Sequence, residues 1–128
     1  MPQAEEVELL RRRARSFLAR AEESVAAEDY DISCFLAEQA LQLHLKSLLL
    51  EELGDFPRTH SISFSLQQIK KLPKHQELAK LLEGRKNEVR LMEDAYIASR
   101  YLPRRNNEDE AKLLVRLVRE VLEFGVVF

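Results

Sequence analysis

Three small groups of polar residues carry the chemistry open to this chain. The first lies in Asp31 to Leu53, where Gln39 and Lys46 stand seven residues apart. On a helix that spacing is two turns, so the two side chains stack almost directly above one another, with Gln42 at the flank. The same helical face carries Ile32, Phe35, Leu36, Leu43, Leu50 and Leu53, so the pair forms a polar seam in an apolar surface. A buried ammonium without a partner costs several kcal/mol or loses its proton. Lys46 must therefore either snorkel to water or meet a partner.

The second group is Tyr96, Arg100 and Tyr101. Tyr96 and Arg100 are one helical turn apart, and Tyr101 closes the helix just before Pro103. A guanidinium fork between two phenols suits an anion with a base stacked beside it. The plainer alternative is an arginine packed on tyrosine and paired with Glu93 or Glu38. The third group is Arg58-Thr59-His60-Ser61. Ser61 or Thr59 is a natural helix N-cap, and His60 can bond a neighbouring carbonyl or carboxylate without doing chemistry.

Other chemistries lack their residues. There is no glycine-rich phosphate loop, no metal-spaced set of His, Cys, Asp and Glu, and no Ser or Cys nucleophile with a placed base. No metal or cofactor is expected. Cys34 shares a face with Ala37, Leu41 and Leu48 and reads as a small buried hydrophobe. The carboxylates Glu5, Glu6, Glu8, Glu22 and Glu23 read as solvated surface. The run Arg11-Arg12-Arg13-Ala14-Arg15, with Arg20, fans around its helix and is partly neutralised by Glu8, Glu22 and Glu23, which favours a solvated face over an RNA patch.

The elements that must position these groups are helices. Val7, Leu10, Ala14, Phe17, Leu18, Ala21 and Val25 recur at three- and four-residue spacing, which predicts a first helix over about Ala4 to Ala27. A short acidic link, with Asp29 or Asp31 as cap, leads into a second helix ending near Leu53, where Gly54 offers a left-handed cap. A third helix is expected over Ser61 to Leu72. A fourth spans His75 to about Ser99 and is weakened or broken at Gly84. A fifth covers Glu110 to Phe124, with Leu113, Leu114, Leu117, Val118, Val121 and Leu122 inward. The tail Val126-Val127-Phe128 is expected to pack down. A second stripe on the second helix, Leu41, Leu45 and Leu48, means that this helix either is central in its bundle or lends one side to a partner, and because a chain this small has limited room to enclose a helix, a homodimer is expected.

The 128 residues fit one domain spanning 1–128, and 45% hydrophobic residues with only three Gly and four Pro leave little material for a sheet. The expected class is all-α. Formal net charge is -2, so no global positive field draws in nucleic acid, and any RNA contact must be local. The start of the chain has no apolar run of signal-peptide length and no window of membrane-spanning length, so a cytoplasmic protein without a membrane partner is expected.

The order and spacing of these pieces resemble the HEPN domain family, named from higher eukaryotes and prokaryotes nucleotide-binding. Asp29-Tyr30-Asp31 leads into Phe35-Leu36-Ala37-Glu38-Gln39-Ala40 and Lys46-Ser47-Leu48-Leu49; then come Thr59-His60-Ser61 and Tyr96 with Arg100-Tyr101 and Pro103. Family members commonly have Pro directly after the Arg-Tyr pair, whereas here Leu102 intervenes. The resemblance implies an up-and-down bundle of about five helices, often dimeric and, in prokaryotes, frequently partnered with a small nucleotidyltransferase. Many relatives are metal-independent endoribonucleases of toxin-antitoxin systems, carrying an Arg followed by four to six residues and a His. Here His44, His60 and His75 have no Arg at that upstream distance, and Arg105, Asn106 and Asn107 stand where the His after Arg100 would be. The expectation is a non-catalytic module, without catalytic residues, whose groove of Gln39, Lys46, His60, Tyr96, Arg100 and Tyr101 takes a nucleotide, an RNA end or a nucleotidyltransferase partner. The alternative is an endoribonuclease toxin with a degenerate site.

Overall fold

In the computed structural model, which describes residues 2–101 and 105–124 (the side chains of 2 and 98–101 excepted), six α-helices follow one another in the order α1 (Pro2–Ala26), α2 (Tyr30–Leu53), α3 (Ile62–Ile69), α4 (Gln76–Glu83), α5 (Lys86–Tyr101) and α6 (Glu108–Glu123). A single 3-10 turn, Pro73–His75, precedes α4. Pro103 and the tail Val126-Val127-Phe128 lie outside the described residues.

Helix α1 forms for the reason its spacing gives: Val7, Ala14, Leu18 and Ala21 are buried along one stripe. It packs along α2, and Ser33 Oγ fastens the pair by donating to the Ala21 carbonyl at 2.8 Å in the interior. Helix α2 is the central element, touching α1, α3, α5 and α6. Its fully buried stripe is Cys34, Ala37, Leu41, Leu45 and Leu48, joined by Leu49. That corrects the expected ranking of its faces. The stripe holding Gln39 and Lys46 is the outer one, where Ile32 is 44% and Leu53 59% exposed at its two ends, although Leu50 on it is buried. Two more helices cover the inner stripe because α1 and α6 both present strong apolar faces to it; Leu114, Leu117, Val118 and Val121 of α6 are buried there, although Leu113 faces out.

Ends of helices follow their local chemistry. Gly54 closes α2 at φ +81°, donating its N–H to the Leu50 carbonyl at 2.9 Å. The expected fourth helix is two helices, parted at Gly84, whose N–H bonds back to the Lys80 carbonyl. Asp29 precedes α2 without a side-chain cap, and Asp31 instead accepts from the Asn106 N–H, joining the start of α2 to the entry of α6. Helix α6 begins two residues earlier than expected, because Asn107 and Glu110 form a reciprocal capping box at 2.8 and 2.9 Å. The two glycines therefore respond oppositely to alanine. Gly54→Ala forces a side chain into left-handed backbone and lowers stability by about 1 kcal/mol. Gly84→Ala, at φ −73° with only ordinary contacts for a new Cβ, raises it by about 0.5 kcal/mol. Urea unfolding of the two variants checks both signs.

Candidate functional site

The outer face of α2 meets α5 and the loop after Gly54, and four of the expected residues come together there. Gln39 and Lys46 are half-buried on α2, His60 stands exposed in the loop, and Tyr96 is half-buried on α5. The Tyr96 ring lies between two others: its centroid is 5.0 Å from the His60 ring at 23° and 6.1 Å from the Phe35 ring at 20°. Three near-parallel rings thus end in an imidazole open to solvent. Arg100 and Tyr101 belong to the last turn of α5, but their side chains lie outside the described residues, as does Pro103.

Lys46 is met by an aromatic ring. Its Nζ lies 5.7 Å from the centroid of Phe56, and the Arg58 guanidinium lies 4.6 Å from the same ring. Burial pulls the Lys46 ammonium below its ordinary value, the Glu38 carboxylate pulls it back up, and Arg58 adds to the lowering. The choice between snorkelling and a partner resolves as both: the side chain is partly open to water, and the loop supplies a π face.

The group that sequence reasoning ranked too low is Glu38. It is fully buried, and its carboxylate accepts from Gln39 Nε2 at 2.7 Å and from Gln42 Nε2 at 2.9 Å. Burial pushes its carboxyl up to about 7, against the two amide bonds that favour the ionised form. Gln42, also buried, donates to the His60 carbonyl as well, so one amide ties the acid to the loop. The signal was present: Glu38 is three residues before Leu41 and seven before Leu45, on the inner stripe itself.

The loop is clamped from α5 too. Glu93 accepts from the Ile62 N–H at 3.1 Å and from Ser63 Oγ at 2.9 Å, while Ser61 caps α3 by accepting from the Phe64 N–H at 3.0 Å. Among the described residues no carboxylate bonds the His60 imidazole; its backbone is held and its ring presented. The buried Cys34 thiol is pushed up to about 12, chiefly by burial, which leaves it without thiolate character near neutrality. Among the described residues no group of three or more His, Cys, Asp and Glu is placed to hold a metal ion, and no helix is long and apolar enough to cross a membrane.

Comparison with known proteins adds two likenesses. A family model described as the HEPN domain matches residues 7–127. The chain is also similar to the crystal structure of TT1696 from Thermus thermophilus, with a TM-score of 0.73 and 26% identity over 92% of this chain and 94% of that one. No curated protein matches.

Proposed function

This chain belongs to the HEPN domain family, and from that premise we propose that it is a non-catalytic binding module whose α2–α5 groove takes a nucleotide, an RNA end or a nucleotidyltransferase partner. The observation that carries the reading is the solvent-open His60 ring stacked on Tyr96 beside the Gln39–Lys46 row. A base or a partner's aromatic side chain extends that stack, Lys46 supplies a cation, and Gln39 supplies a hydrogen bond. Ile32 on α2 and Ile97 on α5 are exposed on the two helices that build the groove, which supports a homodimer joined at this face.

Affinity purification of the folded protein, with mass analysis of whatever protein and nucleotide it retains, tests the reading. Lys46→Ala and His60→Ala should each keep the fold and reduce the retained species at least about tenfold. Unchanged retention in both variants sinks it. One observation favours a second reading, an endoribonuclease with a degenerate site that uses His60 in place of the expected histidine: the His60 ring stacks on Tyr96 and stands open to solvent. RNA cleavage in chelator that disappears in His60→Ala would establish that reading instead.

A further inference from the structure

On the opposite side of α2 from the groove lies a cleft of about 440 Å³ that no motif drew attention to. Its walls come from four parts of the fold: Arg11 and Arg15 from α1, His44 and Leu48 from α2, Lys74, His75 and Leu78 from the turn and start of α4, and Leu122 with Phe124 at the end of α6. Lys46 is two residues beyond His44, about 200° around the helix, so the two sites share no surface. Every titratable side chain lining the cleft is basic. Its apolar residues are leucines and one phenylalanine.

We propose that this cleft binds a small phosphate monoester carrying a compact apolar body. The volume is that of a small-molecule site, and concave apolar walls with a few converging polar groups are what such sites share. Arg11 and Arg15 are one turn apart on α1, so their guanidinium forks face the same space, and Lys74 approaches from the other rim. Each rim cation already has a carboxylate outside the lining. Arg11 pairs with Glu51 at 2.8 Å, Arg15 with Glu8 at 3.1 Å, and Lys74 with Glu52 at 3.8 Å, while His75 Nε2, buried and without a hydrogen bond, stands 3.5 Å from Glu52. Such exposed pairs are weak. A singly charged ligand would only replace one carboxylate with another, whereas a phosphate dianion offers three oxygens to three cations at once.

His44 reports the field inside the cleft. Burial, and then the charges of Arg11, His75 and Arg15, push its imidazole down to about 4. It is therefore neutral at physiological pH and has an N–H to donate to a phosphate oxygen.

Isothermal titration of the intact protein with phenyl phosphate tests the proposal, with inorganic phosphate, benzoate and a short single-stranded RNA as comparison ligands. The double variant Arg15→Gln/Lys74→Gln changes two side chains that are 59% and 78% exposed, so it keeps the fold, and Lys46→Gln alters the other groove. The expected result is one phenyl phosphate per chain, tighter than inorganic phosphate or benzoate, weakened at least about tenfold by the double variant and unchanged by Lys46→Gln. Absence of phenyl phosphate binding at millimolar concentration, binding indifferent to the double variant, or loss in Lys46→Gln overturns the proposal. RNA binding that depends on Arg15 and Lys74 while phenyl phosphate does not bind also overturns it, in favour of a polynucleotide surface. Loss of the α2–α5 reading leaves this result untouched, because the residues are different.

Discussion

At pH 8 the Glu38→Gln variant melts roughly 5–10 °C above the parent chain, and the difference closes below pH 4.5. The effect follows from where Glu38 sits. Its carboxyl titrates at about 7 when folded and 4.5 when exposed, so the folded chain holds a proton there that the unfolded chain has released. Below 4.5 both states are protonated and the acid costs nothing extra. As pH rises from 4.5 through 7 the unfolded chain gives up a proton that the folded chain keeps, and the loss of stability levels off at about 3 kcal/mol once the buried carboxylate has ionised. Glutamine keeps the shape without the charge. Its carbonyl accepts from Gln42, and half-buried Gln39 turns its amide over to accept from the new NH2 group. His44 works in the other direction. Its folded value of about 4 lies below its ordinary 6.5, so its contribution is present above 6.5 and is lost as pH falls towards 4. The two groups offset each other between about 4.5 and 6.5, and the parent chain's stability is nearly level there. Removing Glu38 uncovers the His44 slope, so Glu38→Gln should gain stability steadily from pH 4 to 6.5. Thermal melts of both chains across pH 4–8 measure this; a variant less stable than its parent at pH 8 would refute the burial account of Glu38.

Leu45→Ala is expected to remove about 2–5 kcal/mol, enough to leave the chain close to its unfolding threshold at 37 °C. Leu45 is fully buried at the middle of α2, where α2 meets four other helices, so the space left by the lost atoms has walls on every side that cannot all move in. The contrast is Leu53→Ala eight residues along, at a position 59% exposed, which should fall within about 0.5 kcal/mol of the parent. Chemical denaturation of the two variants separates them, and similar losses in both would mean that the homodimer contact proposed on the outer face of α2 extends as far as Leu53.

That contrast marks what the residues disclosed and what they withheld. Helix boundaries were readable because they are set locally: the Gly54 cap, the Ser61 cap and the three- and four-residue spacing of α1 and α6 act over a single turn. Which face of α2 lies inside was not local. Both of its stripes are apolar, and the choice depends on α1 and α6, distant in sequence, presenting stronger faces to Leu41 and Leu45 than α5, with Tyr96, presents to Phe35. Gln39 and Lys46 were legible as a polar pair, but on an inner face Lys46 would have been costly, and on the outer one it is ordinary. Glu38 was hidden for the converse reason. A glutamate amid helix formers looks like surface, and only its register with Leu41 and Leu45 shows otherwise. The site's aromatic half needed the fold, since nothing in Phe56-Pro57-Arg58 indicates that its ring will lie beneath Lys46.

The loop holding His60 is fastened on both sides, by Gln42 from α2 at His60 itself and by Glu93 from α5 two and three residues farther on, at the start of α3. Ordering a free loop around a ligand costs roughly 1–2 kcal/mol for each backbone residue fixed. Here that ordering is completed during folding, so a guest stacking on the imidazole gives up mainly its own freedom and that of one ring. The groove should therefore tolerate guests of different shape above the His60 ring while discriminating sharply against any that require the chain beneath it to move.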